Sequence, residues 1–497
     1  MVLRDFTARL ATLVLLVTAF NDPFRGAVAQ DKNAPDKPLF AAADDPNVPT
    51  IVAEPAKVAK LAFAYKLYPN RRDLKPGAAY PHFTRALLLF MAHSEHQRTQ
   101  WNQFQEAHEA GNQEIEIEEA LKPFDSVLAE VEKFGECEDL TWDDRLRDLS
   151  GNELAATLMP EMQHARELAR LLRFKCLLHL SKREFDQAFT SIRTGYRLAE
   201  FIGQGESIVQ QLVGIAICAV MEDCLRQAIS TPGCPNLYWA IASIPKPLIS
   251  CRRSIEVELT GLVKFIPIIA EAQTLTLTPE QWRERWEKEI KEFDAVHGPN
   301  LPDGKANLAA TFAWTKENGI AEAKKCLVST GRSIDEINKM PVEQLIALST
   351  SFEIQRLCDD LTKGYCLPME MRASVLQASQ AELESYSSEQ PNSIPTMVMD
   401  MLAPAVAAVG QAETRSVYFL HRLMNIEALR MHVAIHGELP ATLSELDLPA
   451  MPNPFDGSDF AYKAIANRGW SAILNCESVP APPEWLWPIK LKISKPK

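Results

Sequence analysis

Apolar residues recur at helical spacing along most of this chain, and this periodicity limits the folds open to it. Between about residues 56 and 436 they return every three or four positions, as one face of an amphipathic helix requires. The clearest stripes lie within residues 165–199, where only Ser181-Lys182-Arg183 interrupts them. Two amphipathic helices joined by so short a break must fold back on each other. We therefore predict a central antiparallel hairpin over residues 161–202.

Further helix signals extend this prediction to a mainly α fold. The segment from Ile208 to Ile229 is apolar on nearly every side, which predicts a helix at the centre of a bundle. Capping-box patterns at Thr278 and Ser333 predict two more helix starts. We expect an antiparallel helical bundle or hairpin array, with one helical domain over 56–275 and a second helical region over 276–436. Its likeness to tetratricopeptide units is weak, because no repeat of about 34 residues follows the hairpin.

The first 29 residues have the pattern of a secretory signal peptide. Basic residues precede an apolar run from Leu10 to Phe20, and Ala27-Val28-Ala29 offers a cleavage site. The run is shorter than the roughly 20 apolar residues that span a bilayer. We predict an exported protein, periplasmic or extracellular, that begins at Gln30 after cleavage. Later apolar runs are shorter or interrupted, so we expect no membrane span after signal removal.

The charge balance argues against several classes of partner. The chain carries 52 Lys and Arg against 65 Asp and Glu, a net charge of −13. An acidic surface repels nucleic acid and anionic lipid, so we expect no nucleic-acid partner. Residues 30–55, rich in Asp, Pro and Ala, predict an extended leader, and residues 479–497 predict a solvated Pro/Lys tail.

Common catalytic and cofactor signatures are missing from the sequence. It contains no G-x-S-x-G elbow, P-loop, G-x-G-x-x-G, H-E-x-x-H or C-x-x-C motif. We therefore predict no cofactor and name no catalytic residue. The ten cysteines permit disulfides in an exported protein, and Cys234–Cys251 and Cys358–Cys366 are the candidate local bridges.

Two histidine pairs have the spacing of metal ligands. His93 and His96 would share one face if residues 83–107 form a single helix, and they are the candidate metal ligands. His432 and His436 are four residues apart, but Gly437 follows directly. We interpret that second pair as the end of a helix with a glycine C-cap.

The pattern changes to short strands after Gly437. Turn signals at 452–457 and 466–469 flank strand-like residues 459–463. Residues 470–474 have the pattern of a second strand that runs back beside the first. A helix followed by HGELPATLSEL and then by PNPFDGSDFAY is the order found here. Over about 50 residues, this order resembles the C-terminal segment of type II secretion pseudopilins. The chain lacks the pseudopilin membrane helix and the Asp-rich calcium segment, so neither assembly nor calcium binding is implied. We expect a small β-hairpin, pseudopilin-like module over 437–478.

The whole chain, including residues 233–240, also resembles exported helical proteins of planctomycete-type bacteria. That resemblance implies export and the helical architecture, without a particular activity. We predict a non-enzymatic scaffold that contacts an unknown protein partner through helix faces or the C-terminal module. The alternative is an exported metal-dependent hydrolase that uses His93 and His96.

Overall fold

The computed structural model describes residues 48–111, 116–142, 161–264, 266–297, 307–465, 470–475 and 489–494. The predicted signal peptide, most of the leader and Cys476 lie outside these residues. The α-helices, in chain order, are α1 Tyr80–Met91, α2 Glu95–Glu109, α3 Ile117–Leu121, α4 Asp125–Glu136, α5 Glu161–Ser181, α6 Phe185–Gly203, α7 Ile208–Ser230, α8 Tyr238–Ala242, α9 Arg252–Val263, α10 Pro267–Ala270, α11 Pro279–His297, α12 Leu308–Trp314, α13 Ile320–Ser329, α14 Ile334–Lys339, α15 Val342–Lys363, α16 Met369–Glu389 and α17 Ile394–His436.

The strands form one four-stranded sheet and one small pair. In chain order they are β1 Thr50–Ala53, β2 Lys75–Ala78, β3 Cys137–Asp139, β4 Ala461–Ala464, β5 Trp470–Asn475 and β6 Ile489–Ile493. The larger sheet has the order β1-β6-β5-β4, and β2 pairs with β3. The prediction of a mainly α fold with a small C-terminal β module is confirmed.

The predicted hairpin and the apolar helix after it form the centre of the helical core. Helices α5 and α6 pack against each other across a turn in which Arg183 adopts a left-handed φ of 59°. Helix α7 packs against both of them and also against α17 and β1. The buried apolar cluster continues from Ile51 to Ile493, so it includes residues of both predicted helical regions.

The C-terminal sheet contains more of the chain than we predicted. Strands β4 and β5 form the expected antiparallel hairpin, with Ala461 opposite Asn475. However, β1 comes from the predicted leader and β6 from the predicted tail, and the two pair in parallel with Thr50 opposite Lys490. The physical reason is alternation, because Ile489, Leu491 and Ile493 are buried, whereas Lys490 between them is half-buried and Lys492 is exposed.

In the part of the chain that the structure describes, two helices are long and apolar enough to cross a membrane by length and composition alone. They are α7 and α17. In the most apolar 18-residue stretch of each helix, 72% and 65% respectively is buried within the fold. Packing in the protein core accounts for the apolar composition of those buried portions.

The cysteines that the structure describes are all free thiols, and only Cys366 is exposed. The two candidate disulfides are therefore wrong. The Cys234 thiol lies 3.4 Å from the carbonyl oxygen of Pro235, whereas the Cys251 thiol lies 3.7 Å from that of Val409. Burial raises the pKa of Cys234 to about 12, as expected for thiols that pack as small hydrophobes.

Close backbone contact between α6 and α7 depends on a glycine. A Cβ atom added at Gly214 would lie 2.7 Å from the carbonyl oxygen of Ala199 and 3.0 Å from the amide nitrogen of Gly203. Backbone atoms cannot rotate away, so the helices would have to separate. We expect Gly214→Ala to lower the free energy of unfolding by ~2 kcal/mol, although alanine is the better helix former.

Urea denaturation followed by far-UV circular dichroism measures this effect. Gln227→Ala, a change to alanine at a half-buried position of the same helix, is the control and should shift stability little. Unchanged or increased stability of Gly214→Ala would show that the two helices do not need this close approach.

Candidate functional site

A long groove separates α16 from the N-terminal half of α17. It encloses about 1090 Å³. The α16 wall presents Met369, Ala373, Leu376, Leu383 and Ser387, whose spacing follows one helical stripe. The groove therefore runs along the helix axis rather than entering the core at one point.

The opposite wall explains why the groove is open. Helix α17 faces it with Ala403, Pro404, Ala407 and Gly410, whose side chains are small or compact. Side chains of this size extend only a short way from α17 into the groove. At one end, Pro454 and Phe455 from the loop after α17 complete the lining.

Acidic side chains outnumber basic ones in the lining of the groove. Arg372 is the one basic residue among the lining residues that the structure describes. Its guanidinium donates to the buried Glu413 carboxylate at 2.8 Å, and it lies 5.6 Å from the ring centroid of Tyr365. Glu384 and Asp400 add two carboxylates to the lining. With Arg372 paired to Glu413, the groove has an acidic character.

A different part of the fold brings two histidines and an aspartate together. His432 and His436 lie one turn apart at the end of α17, with ring centroids 4.3 Å apart. Asp447 reaches them from the loop that follows: its carboxylate oxygens lie 3.0 Å from His432 Nδ1 and 3.1 Å from His436 Nε2. The interaction with His436 is the main cause of a lowered pKa for Asp447. We call these three residues the His–Asp cluster.

The helix end in front of this cluster is as predicted. Gly437 adopts a left-handed φ of 75°, and its N–H donates to the carbonyl of Val433. The glycine C-cap interpretation is therefore confirmed. The sequence indicated the spacing of the two histidines, but it gave no signal that Asp447 would join them from a position 11 residues further along the chain.

The structure places His93 and His96 differently from the single-helix arrangement. Helix α1 ends at Met91, and Ser94 caps the start of α2 by accepting from the Gln97 amide, so the chain turns between the histidines. His93 Nδ1 and Nε2 lie 2.9 and 2.8 Å from the carbonyl oxygens of Leu89 and Pro123. His96 is exposed.

Among the described residues, the His–Asp cluster is the group of three histidine, cysteine or acidic side chains close enough to share a metal ion. His93 and His96 do not belong to such a group. Comparisons with protein-family models, curated proteins and solved structures find no match for the chain. The pseudopilin and planctomycete resemblances thus rest on their sequence motifs.

Proposed function

We propose that this protein is an exported, non-enzymatic scaffold that holds an amphipathic helix of another protein in the groove between α16 and α17. The groove is the observation that carries the proposal. Export rests on the signal-peptide pattern of residues 1–29. The missing catalytic motifs favour a binding role over an enzymatic one.

The dimensions of the groove suit a helix better than a compact small molecule. Its α16 wall extends from Met369 to Ser387, a helical length of roughly 27 Å at 1.5 Å per residue. An amphipathic helix anchors in such a groove through residues spaced i, i+3, i+4 and i+7. The small side chains of Ala403 and Ala407 leave room for those anchors.

The acidic charge of the groove favours an occupant with basic residues on its polar face. The exposed Glu384 contributes negative charge, while Glu413 neutralises Arg372. The net charge of −13 extends this acidic character to the whole molecule. A helix that combines an apolar stripe with lysines and arginines would therefore associate faster and more selectively than an acidic one.

The test uses a fluorescent Leu/Lys model helix and its Leu/Glu counterpart, with binding measured by fluorescence anisotropy. We expect the basic peptide to bind and the acidic peptide to bind at least about tenfold more weakly. Ala407→Trp places a large ring in the groove and should weaken basic-peptide binding by at least about tenfold, or ~1.4 kcal/mol.

Ala381→Trp is the matched control, because Ala381 is exposed on α16 outside the groove lining. It should leave the dissociation constant unchanged. Equal losses in both tryptophan variants would place the peptide elsewhere on the molecule. Absence of binding by the basic helix would refute the proposed occupant.

A further inference from the structure

The His–Asp cluster has a composition and geometry that play no part in the proposed helix-binding groove. Two imidazoles and one carboxylate are common ligands of zinc sites that keep a fourth position open. In tetrahedral zinc coordination with bonds of about 2.0–2.2 Å, neighbouring ligand atoms are separated by roughly 3.3–3.5 Å. One ligand atom from each residue of the cluster lies within 4.8 Å of the others, and the two His–Asp distances are 3.0 and 3.1 Å.

The loop that carries Asp447 is held firmly against the rest of the fold. Asn425 of α17 accepts from the Met451 amide at 2.7 Å and donates to its carbonyl at 3.0 Å. The Tyr238 hydroxyl donates to the Pro449 carbonyl at 2.6 Å. His421 Nδ1 lies 2.7 Å from the Pro452 carbonyl. These contacts hold the residues that follow Asp447 and so restrict the loop that carries the carboxylate, which favours a preorganised metal site.

The cluster is also accessible from solvent on one side. The His432 side chain is 9% exposed, whereas the side chains of His436 and Asp447 are 45% and 26% exposed. An ion could enter past His436, and water could occupy a fourth coordination position.

We propose that His432, His436 and Asp447 bind one Zn²⁺ ion, which fastens the loop after α17 to the end of that helix. The ion would replace the direct histidine–aspartate contacts with three metal–ligand bonds. This joins the last turns of α17 to the segment leading into β4. The site shares no residue with the lining of the proposed helix-binding groove and lies at the other end of α17, although the loop that carries Asp447 continues to Pro454 and Phe455 of that lining.

The experiment titrates Zn²⁺ into the purified protein after metal removal, in competition with a chromophoric chelator. We expect one equivalent to bind with a dissociation constant below about 1 µM. Asp447→Asn and His436→Gln should each raise that constant at least about tenfold, because each removes one ligand. Saturating Zn²⁺ should raise the melting temperature of the unsubstituted protein by a few degrees, but not those of the variants.

His96→Gln is the matched control, since His96 is an exposed histidine outside the cluster. It should leave both the affinity and the melting-temperature shift unchanged. His436 is also largely exposed, so His436→Gln remains informative if Asp447→Asn folds poorly. A dissociation constant above about 1 µM, or binding that survives both ligand substitutions, would overturn the proposal.

Discussion

Replacing Arg430 with methionine is expected to lower the free energy of unfolding by about 3–5 kcal/mol, because it leaves a buried carboxylate without its partner. Arg430 and Glu427 are 1% and 0% exposed, and their charged groups lie 2.7 Å apart. Arg430 also donates to the carbonyl oxygens of Glu54 and Cys234 at 2.7 and 2.8 Å. Glu427 accepts from the Leu237 amide at 2.8 Å.

This ion pair connects segments that are far apart in the sequence. It joins α17 to the residues after β1 and to the loop before α8. Asn236 supports the same junction by donating to the carbonyl oxygens of Ala56 and Glu427. Loss of Arg430 would leave carbonyl groups unsatisfied as well as a charge unpaired.

Urea unfolding followed by circular dichroism tests this expectation with two further variants. Lys325→Ala removes an exposed pair with Glu322 and should change stability by less than about 1 kcal/mol. The double variant Glu427→Gln/Arg430→Met should be more stable than Arg430→Met alone, since it no longer buries an unpaired charge. A loss for Arg430→Met no larger than that for Lys325→Ala would contradict the structural role of the pair.

Local sequence signals predicted the helical part of this fold well. The capping box at Ser333 is present, with its hydroxyl accepting from the Glu336 amide. Thr278 and Gln281 form the predicted reciprocal bonds at 2.9 and 3.3 Å. Such motifs act over three or four residues, so the sequence alone displays them.

Features that depend on distant pairing were harder to predict. The lysines at 490 and 492 suggested a solvated tail, whereas they alternate with the buried residues of β6, an inner strand of the sheet. Nothing near Ile51 specifies its partner Leu491. Likewise, the groove depends on how far α16 stands from α17, and the position of Asp447 depends on the path of a loop. Neither quantity is encoded in local periodicity.

The second large effect that we expect concerns Glu222 and the pH dependence of stability. It is buried on α7 and accepts a hydrogen bond from Ser416 of α17 at 3.1 Å. Burial raises its pKa to about 8, although Ser416 and the charges of Arg415 and Arg422 act in the opposite direction. The other titratable groups that interact with it are Tyr196 and Cys218, both buried with raised pKa values.

The sign of the effect follows from proton linkage. An unfolded glutamate has a pKa near 4.5, so between that value and about 8 the folded protein retains a proton that the unfolded chain releases. The stabilising contribution is fully present below the unfolded pKa and is lost as the pH rises through the folded pKa. We expect Glu222 to reduce the free energy of unfolding by about 3 kcal/mol between pH 5 and pH 8.

Glu222→Gln removes this ionisation while keeping an acceptor for Ser416. Urea unfolding at intervals from about pH 5 to pH 8 should show the variant becoming progressively more stable than the unsubstituted protein. The lowered pKa values of His108 and His421 produce a slope of opposite sign, because those groups gain stability as the pH rises. Both proteins share these histidines, so the difference between the two curves isolates Glu222.

Glu322→Gln is the control for this measurement, since it makes the same chemical change at an exposed position. Its curve should run parallel to that of the unsubstituted protein across the whole range. If the Glu222→Gln curve is parallel as well, the carboxyl is ionised in the fold at every pH tested. The nearby Arg415 and Arg422 would then outweigh burial, and α7 and α17 would be joined by an ion pair instead of a neutral hydrogen bond.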